Sequence, residues 1–318
     1  MKMSRLALWT GLLAATLFGA AAAQDYPAKP IRFIVGPGPD VLARIVGQKL
    51  TEAWGQQVLV DQRPGAGGII AADSVAKSPA DGYTLLLSTG TYTTIPSLYS
   101  KVPYDFVKDL QPVTLLATLP FLLVAHPSVP AKNVQELLAL ARARPGQLNY
   151  ASSGNGTTAH LAGEMLKSMT KTNMVHVPYK GTVPGVTDLV AGQVHVMFAI
   201  IQSSLPYVKA GRLKALAVSS AKRSSSAPEV PTISESGVAG YEFISWNGVH
   251  VPAATPKPVA AKLNTELLRV ITVPDVKEKM SGLGMDIAGG TPEEFGALVK
   301  SDIAKWAKVI REAGIKAE

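Results

Sequence analysis

The sequence predicts an α/β protein of two lobes, with largely parallel sheets and a cleft between the lobes. Three observations predict it. Short apolar runs alternate with longer segments of helical period, as in strands joined through helices. The 318 residues are 47% hydrophobic, which suits two packed domains and excludes a disordered or low-complexity filament. Two extended stretches, 115–125 and 241–251, stand where the chain would pass from one strand series to the other and return.

Lys2 and Arg5 head an apolar run from Leu6 to Ala20, and Ala21-Ala22-Ala23 places small residues before Gln24. This is the pattern of a secretory signal, so cleavage after Ala23 and a mature chain outside the cytoplasm are expected. The run is shorter than the roughly 20 apolar residues of a membrane span. Residues 31–35 then read as a strand, 40–54 as a helix, and 57–60 and 83–87 as strands with a helix at 71–77 between them. A second series starts near Leu122 with a strand, followed by helix 134–144, strand 148–151, helix 157–169 and strand 174–177. It continues through helix 186–191 and strand 194–198 to a further helix and strand 213–218. The Ser/Pro-rich stretch 224–232 reads as a surface loop. Helices at 258–271, 275–283 and 292–313 have no strand series of their own and are expected to cover the first lobe. The division that follows is 24–118 with 246–318 for lobe 1, and 119–245 for lobe 2.

Composition removes several chemistries. With no cysteine, disulfides, thiolate metal sites, iron–sulfur clusters and cysteine nucleophiles are excluded. Aromatic residues make up only 6%, which weakens base-stacking platforms, and the 31 basic residues are scattered, so no nucleic-acid partner is expected. Removing Lys2 and Arg5 reduces the formal charge of +8 to about +6.

Two segments share one design. The run Ile31 to Val35 leads into Gly36-Pro37-Gly38-Pro39-Asp40 and a helix; Leu148 to Ala151 leads into Ser152-Ser153-Gly154-Asn155-Gly156-Thr157-Thr158 and a helix. A strand, a glycine loop and a helix start aim unpaired N–H groups and a positive dipole end at one point, which suits an anion. Ordinary turns with Asp40 and Thr157 as helix caps explain the same residues, and with one loop in each lobe the two readings stand level. A third loop, Ser88-Thr89-Gly90-Thr91, adds donors at another strand end. Gly154 to Ala159 also fits a dinucleotide fingerprint, but the acidic residue needed about 20 positions on is missing. His160 and Glu164 are spaced as half a metal site, yet the five histidines are isolated, so no metal is expected. No G-x-S-x-G, H-E-x-x-H or P-loop is present, and no catalytic residue or cofactor is assigned.

Further motifs are Arg63-Pro64-Gly65-Ala66-Gly67-Gly68, Asp81-Gly82-Tyr83-Thr84-Leu85-Leu86, His160-Leu161-Ala162-Gly163-Glu164 and Val175-His176-Val177-Pro178-Tyr179-Lys180-Gly181. With Asn149 to Gly156 and Trp306-Ala307-Lys308, they make the chain resemble the substrate-binding proteins of tripartite tricarboxylate transporters, the Bug family, over essentially the whole mature length. The resemblance implies a type II periplasmic-binding-protein fold, two lobes closing on a small carboxylate, and delivery to membrane transporter subunits or to a sensor protein. A non-enzymatic, monomeric solute-binding protein is therefore expected. By the same resemblance the ligand would meet Gly36, Pro37 and Gly38 from lobe 1 and Ser153, Gly154, Asn155, Gly156, Thr157 and Thr158 from lobe 2, with Thr89, Gly90 and Thr91 at the side. Two departures matter. The first loop is shorter than is usual in the family, and Pro37 and Pro39 have no N–H to give. Where members that bind an amine often carry an acid, this chain has Ala199 followed by Ile200, which favours an amine-free ligand, aromatic or a dicarboxylate. The rivals are a ligand-presenting sensory module and a secreted hydrolase or isomerase using the same cleft.

Overall fold

Strands buried on both faces read as unbroken apolar runs, and this chain builds its sheet from such runs. A computed structural model describes residues 26–36 and 40–315; the expected signal segment and the expected cleavage after Ala23, and Pro37 and Gly38 of the first loop, lie outside the described residues. The first series is β1 (Ile31–Val35), α1 (Val41–Trp54), β2 (Val58–Gln62), α2 (Ile69–Ala76), β3 (Thr84–Thr89) and the short α3 (Ile95–Leu98). It leads into β4 (Leu110–Ala125), a strand of 16 residues. The second series is α4 (Val134–Ala143), β5 (Asn149–Ser152), α5 (Thr158–Thr170), β6 (Val175–Pro178), α6 (Thr182–Val190), β7 (Val196–Ile200), α7 (Ile201–Lys209) and β8 (Lys214–Val218). The chain returns through β9 (Ile244–Pro252) to α8 (Lys257–Thr272), α9 (Pro274–Gly282), the two-residue β10 (Asp286–Ile287) and α10 (Pro292–Ala313). Helix α6 starts earlier than its apolar period suggests, because Pro184 falls in the first turn, where its missing N–H is not needed.

The strand order is β2-β1-β3-β9-β4-β7-β5-β6, with β8 and β10 also pairing with β4. This is the expected two-lobed α/β architecture, with one correction. Pairing is parallel within each outer series (β1 with β2 and β3; β5 with β6 and β7) but antiparallel at the centre, where β9 joins β3 and β4, and β7 and β8 join β4. The reason is connectivity: β4 carries the chain out of the first series and β9 brings it back, so the two run opposite ways.

Side-chain alternation assigns each face to its own core. On β4, Leu123 and Ala125 join Tyr150, Phe198 and Leu161, while Leu122 and Val124 join Met197, Ala199 and Val186. On β1, Ile31, Phe33 and Val35 meet Leu263 and Leu267 of α8, whereas Ile34 meets Trp246 and Phe295. Helix α10 takes part in two cores: Phe295 and Val299 pack with the first-series residues, Trp306 and Ile310 with Phe121, Phe198 and Phe243.

Candidate functional site

The described residues of the three loops singled out in the sequence lie at strand ends. Gly36, just after β1, is buried and packs against the Tyr92 hydroxyl, Ala71 and the backbone of Gly68. A side chain there would collide with Tyr92, so only glycine fits. Asp40 occupies the cap position of α1 but makes no capping bond; its carboxylate instead accepts from Arg44, at 2.8 Å from Nε and 2.6 Å from Nη2. The first-turn N–H groups of α1 are thus left uncapped by the residue that the sequence offered for the task.

At the end of β3 the chain enters a 3-10 turn over Gly90–Thr93. Thr93 donates to the Gly90 carbonyl at 2.7 Å and Thr94 to the Thr91 carbonyl at 2.8 Å, which holds the turn tight. The Thr89 and Tyr92 hydroxyls are buried and have no hydrogen-bond partner. Burying a hydroxyl without a partner costs about 1–3 kcal/mol. A methyl group placed on Gly90 would stand 3.7 Å from Ser245 Oγ, Trp246 Nε1 and Thr158 Cγ2. Gly90 of the first series therefore faces the start of α5 in the second.

The second loop is built from its glycines. Gly154 has φ 134° and Gly156 has φ 69°, both in the region open to glycine. Ser152 Oγ accepts the Gly154 N–H at 3.1 Å, His160 Nδ1 accepts the Gly156 N–H at 3.1 Å, and the Gly154 carbonyl accepts the Thr157 hydroxyl at 2.7 Å. The Ser153 carbonyl accepts the Gly181 N–H at 3.2 Å, anchoring the loop to the turn after β6. Thr157 caps α5, with its hydroxyl accepting from His160 N. Asn155 is exposed, while Ser153, Thr157 and Thr158 are half-buried. Loop amides that the sequence offered to an anion are thus partly engaged within the protein, leaving the Thr158 and Ala159 N–H groups as the first-turn donors without an intrahelical partner. A methyl placed on Gly156 would come within 2.8 Å of Leu98 Cδ1 in α3, so this loop too touches the first series.

The remaining candidates are placed differently. Ala199 is fully buried in the core with Val186 and Leu189, whereas Ile200 is half-buried beside Phe121 and Phe198. Lys180 is exposed. Elsewhere Gly284 abuts Ile201 and Gln202 at the start of α7, and Ser225 donates to Asp286 at 2.6 Å. Both members of the His160–Glu164 pair are engaged within the protein: Glu164 accepts from Lys167 at 2.7 Å and from Tyr150 at 2.5 Å, and His160 accepts the Gly156 N–H. The buried Trp246 donates its indole N–H to Asp302 of α10 at 2.7 Å, and that nitrogen stands beside Gly90. Burial raises the Asp302 carboxyl above its usual range, outweighing the lowering by the Trp246 bond and Lys305. Sequence reasoning assigned no role to His176, inside β6, which supports the second loop from behind through Ser152 at the end of β5; its only signal was a polar residue in a short strand.

Comparison with known proteins agrees with the fold. The profile of the tripartite tricarboxylate transporter family receptor matches residues 42–315. The chain is similar to protein BugT of Bordetella pertussis, 36% identical over 324 aligned positions that cover 99% of each. It is similar in structure to an R. palustris protein solved with adipate, with TM-score 0.81 and 37% identity over 92% of this chain and 99% of that one. MatC from Rhodopseudomonas palustris, solved with bound malate, gives TM-score 0.76 and 31% identity over 90% of this chain and 100% of its own.

Proposed function

This chain belongs to the tripartite tricarboxylate transporter receptor family of periplasmic solute-binding proteins, and from that premise we propose that it captures a small, amine-free organic carboxylate between its lobes and delivers it to a membrane transporter. The observation that carries this reading is the meeting of Gly90 with Thr158, which sets the turn after β3 against the start of α5. There the buried, unpartnered Thr89 hydroxyl gains from any ligand oxygen that reaches it. The helix starts of α1 and α5 contribute partial positive charge without a fixed cation. None of Thr89, Thr91, Ser153, Thr157, Thr158 and Ile200 is acidic, so an ammonium group would lack a counter-charge among them. Half-buried Leu98 and Ile200 suit an alkyl or aromatic body, which favours a dicarboxylate or an aromatic acid. The mature protein acts as a monomer, with 24–118 and 246–318 moving as one lobe against 119–245 about β4 and β9. Ligand stabilises the closed state only through its differential affinity for it.

A thermal-shift and calorimetric panel of adipate, malate, benzoate and citrate, with amino acids as controls, tests this. At about 100 times its Kd a true ligand adds roughly 2.7 kcal/mol of stability. Thr89→Val keeps the shape and removes the hydroxyl, and should weaken that ligand about 5- to 30-fold. Stabilisation by amino acids alone, or by no carboxylate at all, overturns the reading.

A further inference from the structure

Behind the second loop lies an arrangement that carboxylate capture alone does not require. His160 of α5 and His176 of β6 stack ring on ring, with centroids 3.7 Å apart and an interplanar angle of 7°. Each ring is tied to the loop backbone. His160 Nδ1 accepts the Gly156 N–H at 3.1 Å. His176 Nε2 stands 2.6 Å from Ser152 Oγ, and that hydroxyl accepts the Gly154 N–H at 3.1 Å and donates to the Gly154 carbonyl at 3.0 Å. The pair thus holds the backbone at both left-handed glycines.

Acceptance at Nδ1 requires a lone pair there, so His160 in this arrangement is neutral and carries its proton on Nε2. The surroundings oppose a second proton. Nε2 is 3.9 Å from Glu164 Oε1, but that carboxylate already binds Lys167 and Tyr150. Tyr150 of β5 stacks on His176 at 5.0 Å, and Tyr241 donates to the Ala162 carbonyl in the same core. Burial, then Lys167, bring His160 down to about 4. At His176 burial and the neighbouring His160 outweigh the attraction of Glu164, again giving about 4.

We propose that the stacked pair His160–His176 positions the ligand loop and couples capture to its own neutrality, because a proton arriving at His160 Nδ1 turns the acceptor for the Gly156 N–H into a second donor. The loop loses its inner anchor and its shape. The effect on binding rests on the carboxylate reading above; the effect on the loop does not.

His160→Asn places an oxygen where Nδ1 stood, accepts the same N–H and does not titrate; His160→Leu removes the acceptor. Adipate and malate affinities are measured by calorimetry from pH 7.5 to 3.5, and the variants are compared at equal pH so that ligand protonation cancels. His160→Asn should match the parent within about threefold at pH 7.5 and bind about fourfold better than it at pH 3.5. His160→Leu should bind roughly tenfold more weakly than His160→Asn at every pH. In the ligand-free protein, the Gly156 amide resonance should move with an acid midpoint in the parent and stay flat in His160→Asn. Equal acid loss in parent and His160→Asn overturns the proposal, as does a Gly156 amide that ignores the titration. If neither acid binds at pH 7.5 the carboxylate reading falls, and the amide titration alone decides the role of the pair.

Discussion

Gly156 shows how one residue serves both backbone and cleft. Its φ of 69° costs a residue with a side chain about 1–2 kcal/mol, and the methyl of an alanine would press on Leu98 across the cleft at 2.8 Å. Gly156→Ala should therefore lower the urea midpoint by an amount equivalent to roughly 1–2 kcal/mol and weaken closure on ligand; an unchanged midpoint would show that the loop adapts freely. Such glycines are legible in the sequence, because a left-handed backbone leaves its mark as a residue type. Partnerships between side chains leave none. His160 and His176 meet because β5 and β6 pair in parallel with Tyr150 beside His176, and α5 folds back over that pair. Asp40 looked like a helix cap in the sequence, yet Arg44 one turn on takes its carboxylate.

The elements were largely readable because both faces of the sheet are covered, so strands appear as apolar runs and helices as periodic ones. What periodicity does not carry is direction: that β4 and β9 run antiparallel through the centre follows from the chain's passage out and back. Nor does it show that α10 packs at one end on Phe106 and Trp246 and at the other on Phe121 and Phe243. This helix starts with a reciprocal cap, Thr291 Oγ1 accepting from Glu294 N at 3.1 Å and Glu294 Oε2 accepting from Thr291 N at 2.8 Å. Thr291→Ala should cost about 1 kcal/mol in denaturant unfolding. A loss of only a few tenths would mean that packing on the two cores, not the cap, fixes where the helix begins.

For the whole molecule, three histidines enclosed in the fold set the response to acid. His160 and His176 are held near 4, and His250, fully enclosed and hydrogen-bonded to Ser88 at 2.7 Å, is brought by burial to about 3. In the unfolded chain each returns to about 6.5. Between those values the unfolded state binds protons that the folded state refuses, so stability is full above about pH 6.5 and falls as pH drops toward 4. Each fully excluded proton contributes up to about 1.4 kcal/mol per pH unit; His176, being half-buried, contributes less. The carboxylates held low by salt bridges, such as Asp61 beside Arg32 and Arg63, lose their contribution only below their own unfolded value near 4. In the window from about pH 6.5 to 5 the histidines therefore dominate, opposed only in part by Asp302, whose raised carboxyl takes up its proton more readily in the folded state than in the unfolded one. The melting temperature should decline steadily across this window, and His250→Asn, which keeps a polar group able to hydrogen-bond Ser88 and does not titrate, should make that decline shallower. A melting temperature constant from pH 8 to 5 would mean that the three rings take up protons in the folded state as readily as in water, and with that the neutral clamp behind the ligand loop would be lost as well.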